Sequence, residues 1–332
     1  NYVKFLILSI SNIVNSKVFI SKKIYSINVK YYLTKGPNNK RINSNPYSSY
    51  IEKDWYLVQV LSILSQISTA NEKVVFAGGT SLTKAFNLMS RFSEDADFSI
   101  VGPENGNRNA RSKFKDTIIK AINACDVLSV DNNTVKSRDE SRYVNFYIDY
   151  PKEFALEEAL RNNLKIEISF KPTYLPTERK EIKSFAGQFY DDAPVAVIDC
   201  ISPVETAANK FSALLWRVDI KNRNDERNHM TNDPALMRHL HDLSALYPLI
   251  NSNPDFKRLV SKIYEKDCLR GDKTRSISFT DFVGKTLDTL KTDTLYKTEY
   301  DDFVSTMSYG PERIEFDEAL KNYERLCQIV TE

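Results

Sequence analysis

One stretch of the chain, residues 74–101, constrains its fold more than any other. Residues 74–77 are an apolar run typical of a short buried strand, and two glycines then turn the chain into a segment with helical spacing. Successive glycines let a ligand approach the backbone closely, and the N–H groups of a first helical turn, with neighbouring hydroxyls, favour phosphate. The residues that this pattern predicts to bind phosphate are Gly78, Gly79, Thr80 and Ser81.

The same stretch also supplies two carboxylates. Residues 96–101 alternate and are rich in apolar side chains, which predicts a strand with Asp95 and Asp97 on one face. Carboxylate oxygens suit Mg2+, with Mn2+ as an alternative, and such ions bridge to substrate phosphates. A pair of these ions stabilises both the attacking and the leaving oxygen of a displacement. Asp95 and Asp97 are therefore predicted as metal ligands and catalytic residues.

A third carboxylate lies downstream. Residues 142–150 and 164–170 both alternate like strands, and residues 151–163 between them are predicted as a loop with a short helical turn. In the second of these strands Glu167 falls on the face opposite the apolar residues. We predict Glu167 as the third metal ligand, placed to help deprotonate a hydroxyl group.

Each of these features also has an ordinary interpretation. A glycine pair is a turn in most sequences, an Asp-x-Asp pair is often a solvated strand end, and a Glu on a strand is usually at the surface. Their order and spacing favour the functional interpretation. A strand, a GG turn, a helix, an Asp-x-Asp strand and a later acidic strand form the layout of the DNA polymerase beta nucleotidyltransferase superfamily, which this segment resembles.

Two sequence motifs narrow the resemblance from the superfamily to one family within it. The strings GGTSLTKAF and RFSEDADFSI are similar to those of the AbiEii/AbiGii-type nucleotidyltransferase toxins of bacterial abortive-infection and toxin–antitoxin systems. Residues 51–61 resemble the helix that precedes the GG turn in that family, and residues 202–217 resemble its Glu-x-x-x-x-Lys helix. The resemblance extends over roughly residues 50–330. It adds Lys84, the lysine of the GG motif, to the residues expected to bind nucleotide.

The Lys helix is also predicted without the family. Ser202, Pro203 and Glu205 supply an N-cap, a first-turn proline and a reaching-back Glu. The polar residues on one stripe beside its apolar face are Thr206, Lys210 and Arg217. In the ordinary interpretation, this stripe is a helix edge exposed to solvent. In the functional interpretation, its two cations face a triphosphate. Because the matching lysine belongs to the active site of the family, we favour Lys210 as a catalytic phosphate contact, with Arg217 beside it.

The chain departs from the family in its last block, a helix predicted to begin at Asp233. The family has an arginine followed by two aspartates, whereas this chain keeps Arg238 and Asp242 but carries His239 in place of the first aspartate. If that aspartate is essential, His239 impairs activity; if Asp242 is the working residue, the site is intact. We include Asp242 among the catalytic residues. Its ordinary interpretation is a surface pair with Arg238 four residues earlier.

Composition excludes several classes of protein. No stretch approaches about eighteen uninterrupted apolar residues, so no membrane partner is predicted. The four cysteines are widely spaced without a Cys-x-x-Cys pair, which favours reduced thiols in a cytoplasmic protein over a zinc site or disulfides. The three histidines, His229, His239 and His241, predict no zinc site either, because residues two apart on a helix do not share a face.

The net charge of +2 is unevenly distributed. Residues 1–51 contain eight Lys or Arg and no Asp or Glu, so the rest of the chain is mildly acidic. The basic extension has three interpretations: a weak targeting segment, an arm that contacts nucleic acid, or upstream sequence that contributes little to the fold. We favour the last.

The pattern of elements predicts an α+β fold with three parts. Residues 1–50 form the basic extension. Residues 51–200 alternate helices and strands, which predicts a nucleotidyltransferase domain with a mixed sheet flanked by helices. Residues 201–332 are almost wholly helical in pattern and predict a bundle that completes the active-site cleft and brings Lys210 towards the acidic residues.

The resemblance implies an activity and partners. It implies a Mg2+-dependent toxin that transfers a nucleotide from an NTP to a hydroxyl of RNA, such as tRNA, or of a protein, and a cognate antitoxin protein. Two alternatives remain open at this point. One is a nucleotidyltransferase that modifies a small molecule such as an antibiotic, and the other is a non-catalytic relative that binds nucleotide or a partner.

Overall fold

The computed structural model describes residues 48–69, 71–102, 106–157, 160–225, 231–233, 235–269, 277–309 and 313–332. Most of the predicted basic extension and His229 lie outside the described residues. The chain divides into two compact units that alternate along the sequence. Of the described residues, the first unit comprises those up to Val75, Glu94–Pro172 and Arg179–Asp199. The second comprises those of Phe76–Ser93, Thr173–Glu178 and Cys200–Glu332.

The helices, in chain order, are α1 Ser48–Ser65, α2 Gly78–Lys84, α3 Arg108–Asn123, α4 Phe185–Phe189, α5 Pro203–Asp219, α6 Arg238–Ile250, α7 Pro254–Cys268, α8 Phe279–Thr292, α9 Leu295–Met307 and α10 Phe316–Thr331. The strands are β1 Lys73–Ala77, β2 Asp95–Val101, β3 Ser129–Arg138, β4 Tyr143–Asp149, β5 Leu164–Phe170, β6 Glu178–Ile182 and β7 Ala196–Cys200.

The strands form one seven-stranded mixed sheet in the order β3-β4-β5-β2-β1-β7-β6. Strands β2 and β5 are parallel neighbours, whereas β4 runs antiparallel to both β5 and β3. Along β5, Leu164, Ile166 and Ile168 are fully buried, while the residues between them are half-buried. The same alternation along β2 turns its polar residues to one face of the sheet, because successive side chains of a strand point to opposite faces.

Helix α1 of the first unit buries three consecutive charged residues. Glu52 accepts a hydrogen bond from the Glu153 backbone N–H at 2.8 Å, and Asp54 accepts one from the Phe185 N–H at 2.7 Å. Lys53 binds the Glu94 carboxylate at 2.5 Å. Buried charges persist only where they are paired or hydrogen-bonded. Helix α1 therefore anchors three separate segments of the first unit through these three side chains.

The second unit has a helical core around α5. This helix packs against α6, α7 and α8, and α10 closes over the same helices. Phe211 of α5 lies near the centre, with ring centroids 5.3 Å from Tyr323 and 6.1 Å from Phe256. All three rings are fully buried. The apolar stripe predicted for the Lys helix thus forms the interior of this unit.

The α+β fold class with a mixed sheet flanked by helices is confirmed. Helix α5 begins as predicted, since Ser202 caps it by accepting the Val204 N–H at 3.3 Å and Pro203 is its first residue. The helix predicted to begin at Asp233 begins instead at Arg238, so that prediction was wrong. Asp233 uses its carboxylate to accept the Ala235 N–H in a turn before the helix.

The three predicted domain boundaries stay predictions. Within the described ranges, no helix combines the length and the apolar character that a membrane span requires. The predicted cytoplasmic location also stays a prediction.

Candidate functional site

The acidic residues predicted from the sequence lie on neighbouring strands of the first unit. In the parallel pairing of β2 and β5, Asp97 lies opposite Glu167, and Asp95 lies opposite Lys165. All four side chains are half-buried and share the face away from the apolar residues of these strands. The structure therefore brings Asp95, Asp97 and Glu167 to one face of the sheet.

Two cations pair with these carboxylates. Nη1 of Arg161 lies 2.7 Å from Oδ1 of Asp95, and Nζ of Lys165 contacts the Glu167 carboxylate. Burial alone would lower the pKa values of both cations, but the nearby carboxylates outweigh it and raise them. Neither Arg161 nor Lys165 was predicted as a site residue. Lys165 could have been found, because it lies two residues before Glu167 on the same strand face.

Tyr143 of β4 also belongs to this acidic face. Burial, followed by the charge of Glu167 and the hydrogen bond that the hydroxyl donates to it, raises the pKa of Tyr143. Asp97 contributes to the same shift. The tyrosine therefore stays protonated and orients the Glu167 carboxylate. The alternation of residues 142–150 predicted the strand, but not this contact.

The residue before Asp95 is held by a buried ion pair. Glu94 binds Lys53 at 2.5 Å and also accepts the Arg161 backbone N–H at 2.8 Å. Lys53 donates a second hydrogen bond to the Arg161 carbonyl at 2.7 Å. These contacts fix the backbone of Arg161, whose side chain binds Asp95. The pair was missed from the sequence because 41 residues separate its members.

The fit of a divalent metal can be tested on these residues. Three carboxylates on one sheet face supply only oxygen ligands, which is the donor chemistry that Mg2+ and Mn2+ require. The residues present therefore fit the ion by chemistry and by face. However, nowhere in the described part of the chain do three or more His, Cys, Asp or Glu side chains gather as a metal cluster would. Metal binding by Asp95, Asp97 and Glu167 stays a prediction.

The GG turn belongs to the second unit. Gly78 has φ of 72°, in the left-handed region that favours glycine, and α2 then runs for only seven residues. The Thr80 hydroxyl hydrogen-bonds the Ser93 hydroxyl at 2.8 Å, and the Ser81 hydroxyl donates to the Gly78 carbonyl at 2.9 Å. Both predicted hydroxyl ligands thus help to shape the turn.

A buried charge cluster lies beneath this turn within the second unit. Oδ1 of Asp242 accepts a hydrogen bond from Nε of Arg91 at 2.6 Å, and Oδ2 accepts one from Nη2 at 2.7 Å. Nζ of Lys210 lies 2.6 Å from the same Oδ2. The structure therefore brings the predicted residues Lys210 and Asp242 together, and adds Arg91, which was not predicted.

The charges of this cluster support one another. Burial would raise the pKa of Asp242, but Arg91 and Lys210 hold it well below its usual value. Burial lowers the pKa of Lys210, and Asp242 opposes that shift. The interpretation of Asp242 as a surface partner of Arg238 is wrong, since Asp242 is fully buried and Arg238 lies 3.9 Å from Asp233 instead.

The remaining predicted residues of this unit are buried or paired. Lys84 and Thr206 are almost fully buried. Nη1 of Arg217 binds Asp233 at 2.7 Å, so its charge is compensated within the unit. The stripe predicted on α5 is therefore not a solvated helix edge at Thr206 and Lys210.

His239 has an unusual environment. The side chain is 7% exposed, and neither ring nitrogen finds a hydrogen-bond partner among the described residues. Burial, with the charges of Arg238, Lys210 and Arg217, holds the pKa of His239 well below its usual value. The imidazole is therefore neutral at physiological pH. A neutral side chain here adds no negative charge to its surroundings, and the nearby Lys210 and Arg217 are paired with Asp242 and Asp233 instead.

Comparisons with known proteins agree with the fold and the sequence motifs. The family model described as "Nucleotidyl transferase AbiEii toxin, Type IV TA system" matches residues 61–322. Among solved structures, the chain is similar to MenT4, a nucleotidyltransferase toxin from Mycobacterium tuberculosis H37Rv. The identity is 19%, the TM-score is 0.55, and the match covers 84% of each chain. No curated protein matches the chain.

Proposed function

The chain belongs to the AbiEii nucleotidyl transferase toxin family of type IV toxin–antitoxin systems, and from that premise we propose its substrates and the roles of its residues. The donor is an NTP bound with Mg2+, or with Mn2+ in its place. The acceptor is a hydroxyl of RNA, such as tRNA, or of a protein. The partner that restrains the toxin is a cognate antitoxin protein.

One observation carries the metal part of this proposal. The register of two parallel strands sets Asp97 opposite Glu167, with Asp95 on the same face. These three carboxylates would hold the divalent ion. When bound, the ion supplies positive charge that stabilises the attacking and leaving oxygens of nucleotidyl transfer. Arg161 and Lys165, which pair with two of the carboxylates, are the cations of this face that we assign to phosphate oxygens of the donor.

Glu167 has a second role in the proposed reaction. A carboxylate accepts the proton of the attacking hydroxyl, which then forms a bond to the α-phosphorus as the bond to pyrophosphate breaks. The Tyr143 hydroxyl, which donates to Glu167, keeps one oxygen of the carboxylate fixed in direction. Tyr143 is therefore a positioning residue for the proton acceptor.

Lys210 and the GG turn act on the phosphates of the donor. The ammonium group of Lys210 neutralises charge on the triphosphate, which carries several negative charges. Backbone N–H groups after Gly78 and Gly79, with Thr80 and Ser81, bind phosphate oxygens. Lys84 and Arg217, the latter paired with Asp233, are assigned to donor binding in the same unit.

The decisive experiment replaces Asp97 with Ala. Purified wild-type protein and the D97A variant are incubated with each of four labelled NTPs and with total RNA or total protein, with and without Mg2+. We expect transfer by the wild type only with Mg2+, and none by D97A, because one of its three carboxylates is lost. Folding of the variant is checked by circular dichroism.

A matched control is available on the same sheet. Asp149 ends β4 and is exposed, and it lies four residues beyond Asn145, the β4 residue opposite Glu167. The D149A variant therefore loses a carboxylate at the end of the strand rather than one beside Glu167. We expect D149A to transfer nucleotide like the wild type. Undiminished transfer by folded D97A would overturn the proposal. Growth of cells that express each variant gives a second readout, and D97A is expected to relieve toxicity whereas D149A is not.

A further inference from the structure

In the charge cluster beneath the GG turn, both oxygens of the Asp242 carboxylate bind cationic side chains. Both carboxylate oxygens are occupied, Oδ1 by Nε of Arg91 and Oδ2 by Nη2 of Arg91 and Nζ of Lys210. Nδ1 of His241 also lies 3.4 Å from Oδ1. The side chain has no exposed surface. A carboxylate in this state is committed to its cations, because two parallel N–H···O bonds fix both the distance and the plane of the guanidinium.

The cations held by Asp242 converge on one point of the backbone. A Cβ atom at Gly79 would collide with Nη2 of Arg91 and would lie 3.6 Å from Nζ of Lys210. The guanidinium and the ammonium group are thus adjacent to the same α-carbon. Within the second unit, these two cations and one carboxylate sum to a single positive charge, the sign that a phosphate group requires.

The backbone of Arg91 is fixed as firmly as its side chain. Arg91 forms an isolated β-bridge with Ser308, and the Phe92 N–H donates to the Met307 carbonyl at 2.7 Å. Nη1 of Arg91 donates to the carbonyl of Phe92 at 3.0 Å. The guanidinium is therefore oriented before any ligand binds, which lowers the entropic cost of binding an anion.

We propose that Arg91 binds phosphate oxygens of the donor together with Lys210, and that Asp242 is a positioning residue that holds both cations against Gly79. The inference rests on the proposed function and deepens it, since it names the groups that receive the triphosphate. Asp242 then acts through the two cations rather than on the reacting atoms, in contrast to the catalytic role predicted from the sequence.

The test measures binding of inorganic triphosphate to the full chain by titration calorimetry without metal, so that neither base recognition nor catalysis contributes. Arg91→Gln is expected to weaken binding about tenfold or more, as loss of a charge-assisted hydrogen bond would. Asp242→Asn is expected to weaken it similarly, although it removes a negative charge. A carboxylate that was merely near the ligand would give the opposite sign, because its removal would strengthen anion binding.

A matched control is Arg223, which binds Glu299 at 2.7 Å and Asp293 at 2.6 Å in the same unit. Arg223→Gln is expected to bind triphosphate like the wild type. If either single variant at the cluster fails to fold, the double variant R91Q/D242N replaces it. The double variant replaces the ion pair with two amides and keeps the net charge of the cluster, and it is expected to bind as weakly as R91Q.

Several results would overturn the inference: absent binding by the wild type, unchanged binding by folded R91Q or R91Q/D242N, or unchanged or tighter binding by folded D242N. The D97A variant is expected to retain triphosphate binding in the absence of metal. Failure of the proposed function can therefore be distinguished from failure of this inference. A wild type that binds triphosphate through Arg91 but transfers no nucleotide would refute the proposed reaction but not the phosphate site. In the transfer assay R91Q is expected to raise the KM for NTP more than it lowers kcat.

Discussion

The guanidinium of Arg91 occupies the space into which a side chain at Gly79 would project. The two glycines of the turn are therefore required for different reasons. Gly78 adopts a positive φ of 72°, which side chains disfavour. Gly79 has no such angle but lies against a charged group that Asp242 holds in place. The GG turn and the cluster beneath it form one structural feature of the second unit.

Gly79→Ala is expected to destabilise the protein by about 1–3 kcal/mol, since the added methyl group displaces Arg91 from its ion pair. Triphosphate binding should weaken in the same variant. Gly284 in α8 provides the control, because a Cβ there meets nothing within 4 Å. Gly284→Ala is expected to stabilise by about 0.5–1 kcal/mol, as replacement of a helical glycine usually does. Urea denaturation measures both changes, and equal effects would contradict the argument.

Lys53→Met is expected to destabilise by about 3–5 kcal/mol, because it leaves the Glu94 carboxylate buried without its cation. Adding Glu94→Leu should recover part of this loss, although the Arg161 N–H then loses its acceptor. The exposed pair between Arg258 and Asp255 is the control, and Arg258→Ala should cost less than about 1 kcal/mol. A double-mutant cycle by chemical denaturation measures the coupling. A K53M/E94L variant that is less stable than K53M would refute this account.

Because of Glu52, the free energy of unfolding is expected to fall as the pH rises. Burial raises the pKa of Glu52 to about 7 from 4.5. The folded state therefore holds a proton that the unfolded state releases between these values, so this stabilisation is complete below pH 4.5 and disappears as the pH rises to about 7. The loss is on the order of 3 kcal/mol. Glu52→Gln should lack it and be more stable than the wild type at pH 8.

The control for Glu52 is the exposed Glu153, whose backbone N–H binds the Glu52 carboxylate. Glu153→Gln changes the same charge at the surface and should retain the wild-type dependence of the free energy of unfolding on pH. Parallel pH profiles for the wild type and E52Q would show that Glu52 is ionised in the folded state throughout.

Because of His239, the free energy of unfolding is expected to fall as the pH decreases, which is the opposite of the effect of Glu52. Its pKa lies well below the usual 6.5 in the folded state, so only the unfolded state takes up a proton as the pH falls through 6.5. The wild type should lose about 1.4 kcal/mol from this group at one pH unit below that value. His239→Asn, which is neutral at every pH, should show a smaller loss of the free energy of unfolding between pH 7.5 and pH 5.5. If the free energy of unfolding of H239N falls as steeply with pH as that of the wild type, His239 accepts a proton in the folded state.

Local patterns in the sequence determined much of the fold and part of the candidate site. Alternation predicted the strands that carry Asp97 and Glu167, and a capping sequence predicted the start of the helix that carries Lys210. These predictions depend on neighbouring residues, because strand and helix periodicities and caps are properties of short segments. The order of the motifs along the chain then indicated the family. The helix start predicted at Asp233 shows the limit of such local patterns. The Asp233 carboxylate accepts a backbone N–H in a turn, and the helix begins only at Arg238.

Only the tertiary structure decided which charges meet. Arg91 and Asp242 are 151 residues apart, and Lys53 and Glu94 are 41 apart, so no periodicity links either pair. The sequence pattern allowed Asp242 to be a surface partner of Arg238, whereas packing buried it between two cations instead. The physical reason is that burial strengthens the interaction between charges and makes an unpaired charge costly, and burial is set by contacts between distant segments.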